Sequence, residues 1–314
     1  MSFGETVSPG TALVILTAGG FLKRVGLDEF ETQKRGGKGI VGGKPREEDV
    51  IHCITPAHSG DRVLFFTSLG MCHSLEANEI PAMTRYARGR KVAGFLKPAS
   101  NEQVTFMLAH GGEFDERPLV LVSMKGIIKR TVLSNFKRPR AGGTLAMSLA
   151  EGDRIGGGYV SSGAQETLIF TAGGKVVRFD ETSVRVMGKA AQGVRGVRLA
   201  AADVVVGVCP ASEGLNVFTV SEKGFGKLTP QAQFRKTARG AGGVTGTRLT
   251  DKTGKLAFAG AVSTGEVILC SSNGKFIRFH TSDVRETGRT AVGVRLMRLD
   301  GDDTVACGVI VTGS

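Results

Sequence analysis

The sequence predicts an all-β protein built as a six-bladed, propeller-like disc, and three observations predict it. A glycine-centred motif recurs six times at a near-constant period, a short β-prone run precedes and follows each copy, and helical periodicity is nearly absent.

The copies are Ala-Gly-Gly-Phe-Leu-Lys-Arg (18–24), Ser-Leu-Gly-Met-Cys-His-Ser (68–74), Met-Lys-Gly-Ile-Ile-Lys-Arg (124–130), Ala-Gly-Gly-Lys-Val-Val-Arg (172–178), Glu-Lys-Gly-Phe-Gly-Lys-Leu (222–228) and Ser-Asn-Gly-Lys-Phe-Ile-Arg (272–278). Their shared glycines, Gly20, Gly70, Gly126, Gly174, Gly224 and Gly274, are spaced 50, 56, 48, 50 and 50 residues apart. Apolar runs such as Leu13–Leu16, Val63–Phe66 and Leu119–Val122 lead into them. Strand, two-residue glycine turn, strand is the expected hairpin, with glycine supplying the positive φ of a primed turn.

A second glycine follows at Gly39, Gly89, Gly143, Gly193, Gly243 or Gly293, and Asp49, Asp153, Asp203 or Asp303 opens the next apolar run; repeats two and five lack that Asp. The unit therefore reads as about four strands and three turns, the content of a propeller blade. Residues 13–314 are expected to form one domain of six repeats (about 13–60, 61–113, 117–163, 166–214, 215–264 and 265–314), preceded by a flexible lead-in at 1–12.

Composition narrows the function. Hydrophobic residues make up 41% of the 314, enough for a large core. Lys and Arg number 41 against 29 Asp and Glu, and the net charge of +12 points to a polyanionic partner. The five cysteines, Cys53, Cys72, Cys209, Cys270 and Cys307, are widely spaced and read as small core residues of a reducing cytosol. No apolar run approaches the ~20 residues of a membrane helix. The five histidines are isolated, neither tyrosine lies in a nucleophile-like context, and no phosphate-binding glycine loop is present, so the domain is expected to be non-catalytic and to need no cofactor or metal.

The positive charge is in register with the repeat. Four residues past the turn glycine stands Arg24, Arg130, Arg178 or Arg278, with Lys23 and Lys129 beside the first two and Lys227 one position early in repeat five. Five residues past the second glycine stands Lys44, Arg198, Arg248 or Arg298; Arg195 and Arg295 lie three residues before Arg198 and Arg298. The segments approaching the second glycine carry Arg88 and, just past it, Arg90 in repeat two, Arg138 in repeat three and Arg239 in repeat five. Rotation about a disc axis would set equivalent positions on a ring, so these cations are expected to form a belt for phosphates, which accept charge-assisted hydrogen bonds without carrying sequence information. With no Trp and two Tyr, stacking on single strands is disfavoured and duplex DNA is the better polyanion.

In repeat one the segment before the second glycine is Gln33-Lys34-Arg35-Gly36-Gly37-Lys38-Gly39. It resembles the box Gln-Arg-Arg-Gly-Gly-Lys-Gly that marks the C-terminal DNA-wrapping domain of bacterial DNA gyrase A, with six of seven positions matching and Lys34 in place of an arginine. Consecutive glycines would let the backbone approach a phosphate while the flanking cations neutralise it. The resemblance implies a β-pinwheel whose blades exchange strands, and non-sequence-specific binding, bending and chiral wrapping of duplex DNA around its outer rim. It implies partners, too: the N-terminal catalytic core of gyrase A and the gyrase B ATPase, in the bacterial cytoplasm, the whole introducing negative supercoils at the expense of ATP. Many such chains end in an acidic tail, whereas this sequence ends Val311-Thr312-Gly313-Ser314. Two alternatives are the corresponding domain of topoisomerase IV, expected to lack an intact box, and a protein-interaction propeller of the chromosome-condensation-regulator type, expected to lack the registered arginines.

Overall fold

The computed structural model describes residues 10–41 and 49–311. Within them lie six four-stranded antiparallel sheets, here called blades one to six after the repeat that supplies the central hairpin. In repeat one the hairpin is Ala12–Thr17 and Phe21–Gly26, and the closing strand Ile51–Ala57 pairs on the inner side of Ala12–Thr17. The fourth, outermost strand of each blade comes from another repeat. Arg90–Lys91 pairs with Phe21–Gly26, Val194–Arg195 with Ile127–Val132, and Val294–Arg295 with Phe225–Pro230. Ile40–Val41 of repeat one completes blade six on Lys275–His280, so the exchange closes on itself. The closing strands also pack against one another all the way round, Ile51–Ala57 against Val305–Val311 included. The ring is closed at both its inner and outer edges.

A blade packed between two others buries both faces of its sheet, which is why the strands are continuous apolar runs rather than alternating ones. Leu13 and Ile15 pack with Ile268, Cys270 and Phe276 of blade six, while Val14 and Leu16 pack with Val63 and Phe65 of blade two. Successive side chains thus feed successive inter-blade cores, six in all among the described residues. Helix is confined, among the described residues, to short 3-10 turns such as Leu27–Glu29, Glu181–Ser183 and Thr281–Asp283, most of which follow the second strand of the hairpin.

The hairpin turn differs from the two-residue primed turn expected. Each turn glycine donates its N–H to the carbonyl three residues earlier (Gly20 to Thr17, Gly70 to Thr67, Gly126 to Ser123, and so on, 2.8–3.0 Å). The two residues between keep negative φ, and the glycine itself has φ of 73–83°. This is a turn followed by a left-handed residue, the three-residue hairpin loop with a glycine bulge. A Thr or Ser three residues before every turn glycine accepts from the N–H just beyond it, as Thr17 does from Phe21 (3.0 Å) and Ser271 from Lys275 (3.2 Å). The repeated Asp braces the same loop: Asp49 accepts from the Gly19 N–H (2.8 Å) and Asp203 from Gly173 (2.8 Å). In repeat five the carbonyl of Thr253 takes that part, accepting from Lys223 (3.0 Å).

The cations just after the turn glycine hold the blades together, a role that the expectation of a DNA-binding belt did not include. Arg130 is 6% exposed, and its guanidinium donates to the carbonyls of Glu181 and Val184 (both 3.1 Å) in the 3-10 turn of the next repeat. Arg178 donates likewise to Gln231 and Phe234, Arg278 to Leu27 and Phe30, and Arg24 to Ile80. Carboxylates complete three of these sites: Glu181 beside Arg130, Glu166 beside Arg178 and Glu266 beside Arg278. One residue earlier, buried lysines grip the segment leading to the next repeat's outer strand, and Lys129 also holds Ala146 of its own repeat. Lys23 donates to the carbonyls of Arg85 and Ala87, Lys129 to those of Ala146 and Lys189, and Lys227 to those of Gly288 and Arg289. Burial pushes each of these ammonium groups down to about 8, and the carbonyl acceptors satisfy the charge that remains. In repeat two His73 occupies the lysine position, is buried, and meets Glu102 at 3.1 Å.

Removing one partner of a buried pair leaves the other charge without compensation, at a cost of about 3 kcal/mol or more. Arg130→Ala is therefore expected to lower the denaturant midpoint of unfolding by an amount of that order, while Arg138→Ala, on an exposed side chain, shifts stability by less than about 0.5 kcal/mol. Equal midpoints for the two variants would show that Arg130 is not a structural clamp.

Candidate nucleic-acid interface

Once the clamping cations are set aside, a second population remains on the outer edge of the ring. Each repeat sends an arm from its 3-10 turn up the outside of the preceding blade to the exchanged outer strand. Parallel bridges mark the path, such as Arg24 with Ala82 and Thr32 with Arg278. The second glycine lies where the arm crosses closest. A Cβ on Gly39 would stand 2.6 Å from the Phe276 carbonyl oxygen, and one on Gly193 2.5 Å from that of Ile128, so only glycine fits, at φ of 74° and 99°.

The box of repeat one is such an arm, and its backbone forms the seam between blades one and six. The Gln33 N–H donates to the Arg278 carbonyl (2.7 Å), the Gly36 N–H to Leu296 (2.6 Å), and the Gly37 carbonyl accepts from Arg298 (2.9 Å). The close approach that Gly36, Gly37 and Gly39 permit is thus made to repeat six, to its hairpin in blade six and to the segment it lends to blade five. The side chains behave differently. Lys34, Arg35 and Lys38 are exposed, and among the described residues neither Lys34 nor Arg35 has an intramolecular partner. Lys38 faces Asp300, whose carboxyl is held below its usual range by the hydrogen bond from Lys275 first, and then by the charges of Lys275, Lys38 and Arg298.

The other expected contact residues distribute around the same edge. Arg88, Arg90, Arg138, Arg195, Arg198, Arg295 and Arg298 are all exposed, while Arg239 is half-buried and donates to the carbonyl of Arg195 (2.6 Å). Two rest on aromatic faces: the Arg88 guanidinium lies 3.8 Å from the centre of the Phe21 ring, shared with Lys91, and Arg295 lies 5.2 Å from that of Phe225. Such stacking fixes the cation while leaving its donors outward. Lys44 lies outside the described residues.

The basic segments before the second glycine are plain in the sequence, but two registers within them, and Arg185 and Lys189, escaped the sequence reading. The third position of the box is basic in five repeats, as Arg35, Arg85, Lys189, Arg239 and Arg289, always four residues before the second glycine. The residue after the buried apolar end of each 3-10 turn is an exposed cation in repeats three to six: Lys137, Arg185, Arg235 and Arg285. Alignment on the second glycine would have found the first. The second needed the apolar residues Phe136, Val184, Phe234 and Val284 to be recognised as a common landmark.

A family profile described as "DNA gyrase C-terminal domain, beta-propeller" matches six segments, 11–52, 61–108, 117–156, 165–209, 215–263 and 265–309. The DNA gyrase A protein of Salmonella typhimurium is 34% identical over 304 residues, covering 96% of this chain and 34% of that protein. Its counterpart in Ureaplasma parvum is 35% identical over 294 residues, covering 93% and 35%. The chain therefore spans about a third of the length of the curated relatives it matches. Among solved structures, a DNA gyrase A C-terminal domain superposes with a TM-score of 0.87 at 25% identity, covering 96% of this chain and 100% of that one. A DNA topoisomerase IV C-terminal domain superposes at 0.71 with 19% identity over 97% of this chain and 94% of that one, a likeness of fold. With all six repeats matched and the ring reproduced, the chain belongs to the family of DNA gyrase C-terminal domains, of β-propeller fold.

Proposed function

We propose that this domain binds double-stranded DNA without sequence preference and wraps it around the outer edge of the ring. Within a gyrase holoenzyme of the bacterial cytoplasm, it would hand the wrapped duplex to the gyrase A catalytic core and work with the gyrase B ATPase, supporting negative supercoiling. The observation that carries this reading is the division of the cations. Those the fold needs are buried or half-buried against carbonyls and carboxylates, whereas most of those on the arms and exchanged strands are exposed, many without a partner among the described residues. Phosphates spaced along a duplex supply partners of that kind, and stiff DNA bent around a rim needs many modest contacts rather than one strong one. The domain adds no bond chemistry. Its contribution is geometric, because it sets where the flanking duplex goes. The near-complete box favours the gyrase assignment over topoisomerase IV.

Neutralising ~6–10 phosphates gives a log–log salt slope of about −5 to −9 for binding to random duplex. A slope near zero, or strong preference for one sequence, would refute the electrostatic rim.

The box separates fold from function within seven residues. Replacing Lys34, Arg35 and Lys38 together by alanine is expected to leave stability within about 0.5 kcal/mol of the parent, because solvated cations contribute little. The same change is expected to abolish the linking-number shift of nicked circles sealed with the protein bound. Gly39→Ala should do the reverse, destabilising the seam at a positive φ with a 2.6 Å backbone contact. A large stability loss in the triple variant would make its cations structural.

A further inference from the structure

The exposed cations are not at one height on the rim, and their arrangement gives a closed ring a chiral path. Each outer strand pairs with the beginning of a hairpin's second strand, beside the glycine turns: Arg90 faces Leu22 and Arg195 faces Ile127. Each hairpin's 3-10 turn follows the end of that strand, six residues and about 20 Å away. The rim therefore has a turn side and an opposite side, separated by about the width of a duplex.

On its outer strand and the approach to it, repeat two offers exposed cations on the turn side, Arg88, Arg90 and Lys91. Its opposite side carries Pro81, and its Arg85 is engaged by the Glu29 carbonyl (2.9 Å). Repeat one holds its box cations in the middle and on the turn side, with Glu31 on the opposite side. Repeats four, five and six carry both sides, Arg198, Arg248 and Arg298 toward the turns and Arg185, Arg235 and Arg285 away from them. In repeat three the outer strand is Thr144–Leu145, uncharged, Arg140 is exposed on the approach to it, and the exposed pair Lys137 and Arg138 lines a cleft with Arg62, His110, Glu76 and Glu113 on the opposite side. Followed in the order two, one, six, five, four, three, the positive track descends from the turn side to the opposite side.

We propose that bound duplex follows this inclined track, its two ends lying at neighbouring repeats, two and three, on opposite halves of the rim. A level path would bring the ends of a nearly complete turn into collision and would have no hand. The inclined path lets them pass one above the other, so the wrap has a fixed sign although the ring is closed and needs no spiral. This rests on the DNA-wrapping reading above and adds the route.

Two variants that move charge along the rim test it. Arg88→Ala with Arg90→Ala and Glu31→Lys keeps the net charge and moves it from the turn side to the opposite side at one end of the track. Lys137→Ala with Gly142→Lys also keeps the net charge and moves it the other way at the far end, where an added Cβ at Gly142 meets nothing within 4 Å. Each is assayed with the parent for the salt slope on linear duplex, for unfolding midpoint, and for linking-number change of nicked circles ligated at saturating protein. The expected result is a salt slope within about one unit of the parent's with the linking-number change per bound domain cut by more than half in both. An undiminished linking-number change in either variant that folds and binds would overturn the inclined route. Loss of salt-dependent binding by the parent itself would instead refute the DNA-wrapping reading, so the two failures are distinct. The second variant stands alone should the first fail to fold through loss of the Arg88–Phe21 contact.

Discussion

Every blade in this ring leaves one sheet edge that it cannot pair by itself. The second hairpin strand of each repeat turns its outer edge to solvent, and another repeat's arm supplies two residues to cover part of it. Unpaired edges invite aggregation, and full closure removes them. Because each repeat both gives and receives a strand, no blade is complete without its neighbour, and the chain as a whole is complete only when Ile40–Val41 reaches Lys275–His280. The exchange also fixes where function can lie, since it brings the arms and their cations to the outside edge.

That constraint explains why one basic sequence does two kinds of work. An arm lying on the preceding blade exposes carbonyls to it, and a cation at the third or fourth position after the turn glycine is placed to meet them. Charge-assisted hydrogen bonds there offset the cost of burying the charge. Some cations on the arm itself are also held by the blade beneath, as Arg85 is by the Glu29 carbonyl and Lys236 by Glu166 and Asp180, but others, Lys34 and Arg35 among them, are exposed with no partner among the described residues. The box contains both solutions: its glycines and backbone belong to the seam, and Lys34 and Arg35 face solvent.

Much of this was legible in the sequence. The six repeats, the buried strands and the aspartates were readable because they follow local rules at fixed spacing. The turn type was misread because a glycine marks positive φ without saying whether it lies inside the turn or just after it; the Thr or Ser three residues earlier, from Thr17 to Ser271, decides the matter and recurs in all six copies. The role of Arg24, Arg130, Arg178 and Arg278 was not legible. Their register was plain, but their partners lie about fifty residues further along the chain, or on repeat one for Arg278, and charge patterning alone cannot tell a clamp from a contact. Lys129 and Lys34 look equally basic on paper, yet one is fully buried and the other exposed.

The division of the cations is the central claim, and lysine-selective chemical labelling of the folded domain, read by mass spectrometry with and without random duplex, tests it most directly. The account predicts that Lys34 and Lys38 label readily in the free protein and are protected by DNA, while Lys23, Lys129 and Lys227 stay unreactive in both states. Clamp lysines that label in the free protein and are shielded by DNA, or arm lysines indifferent to it, would contradict the account.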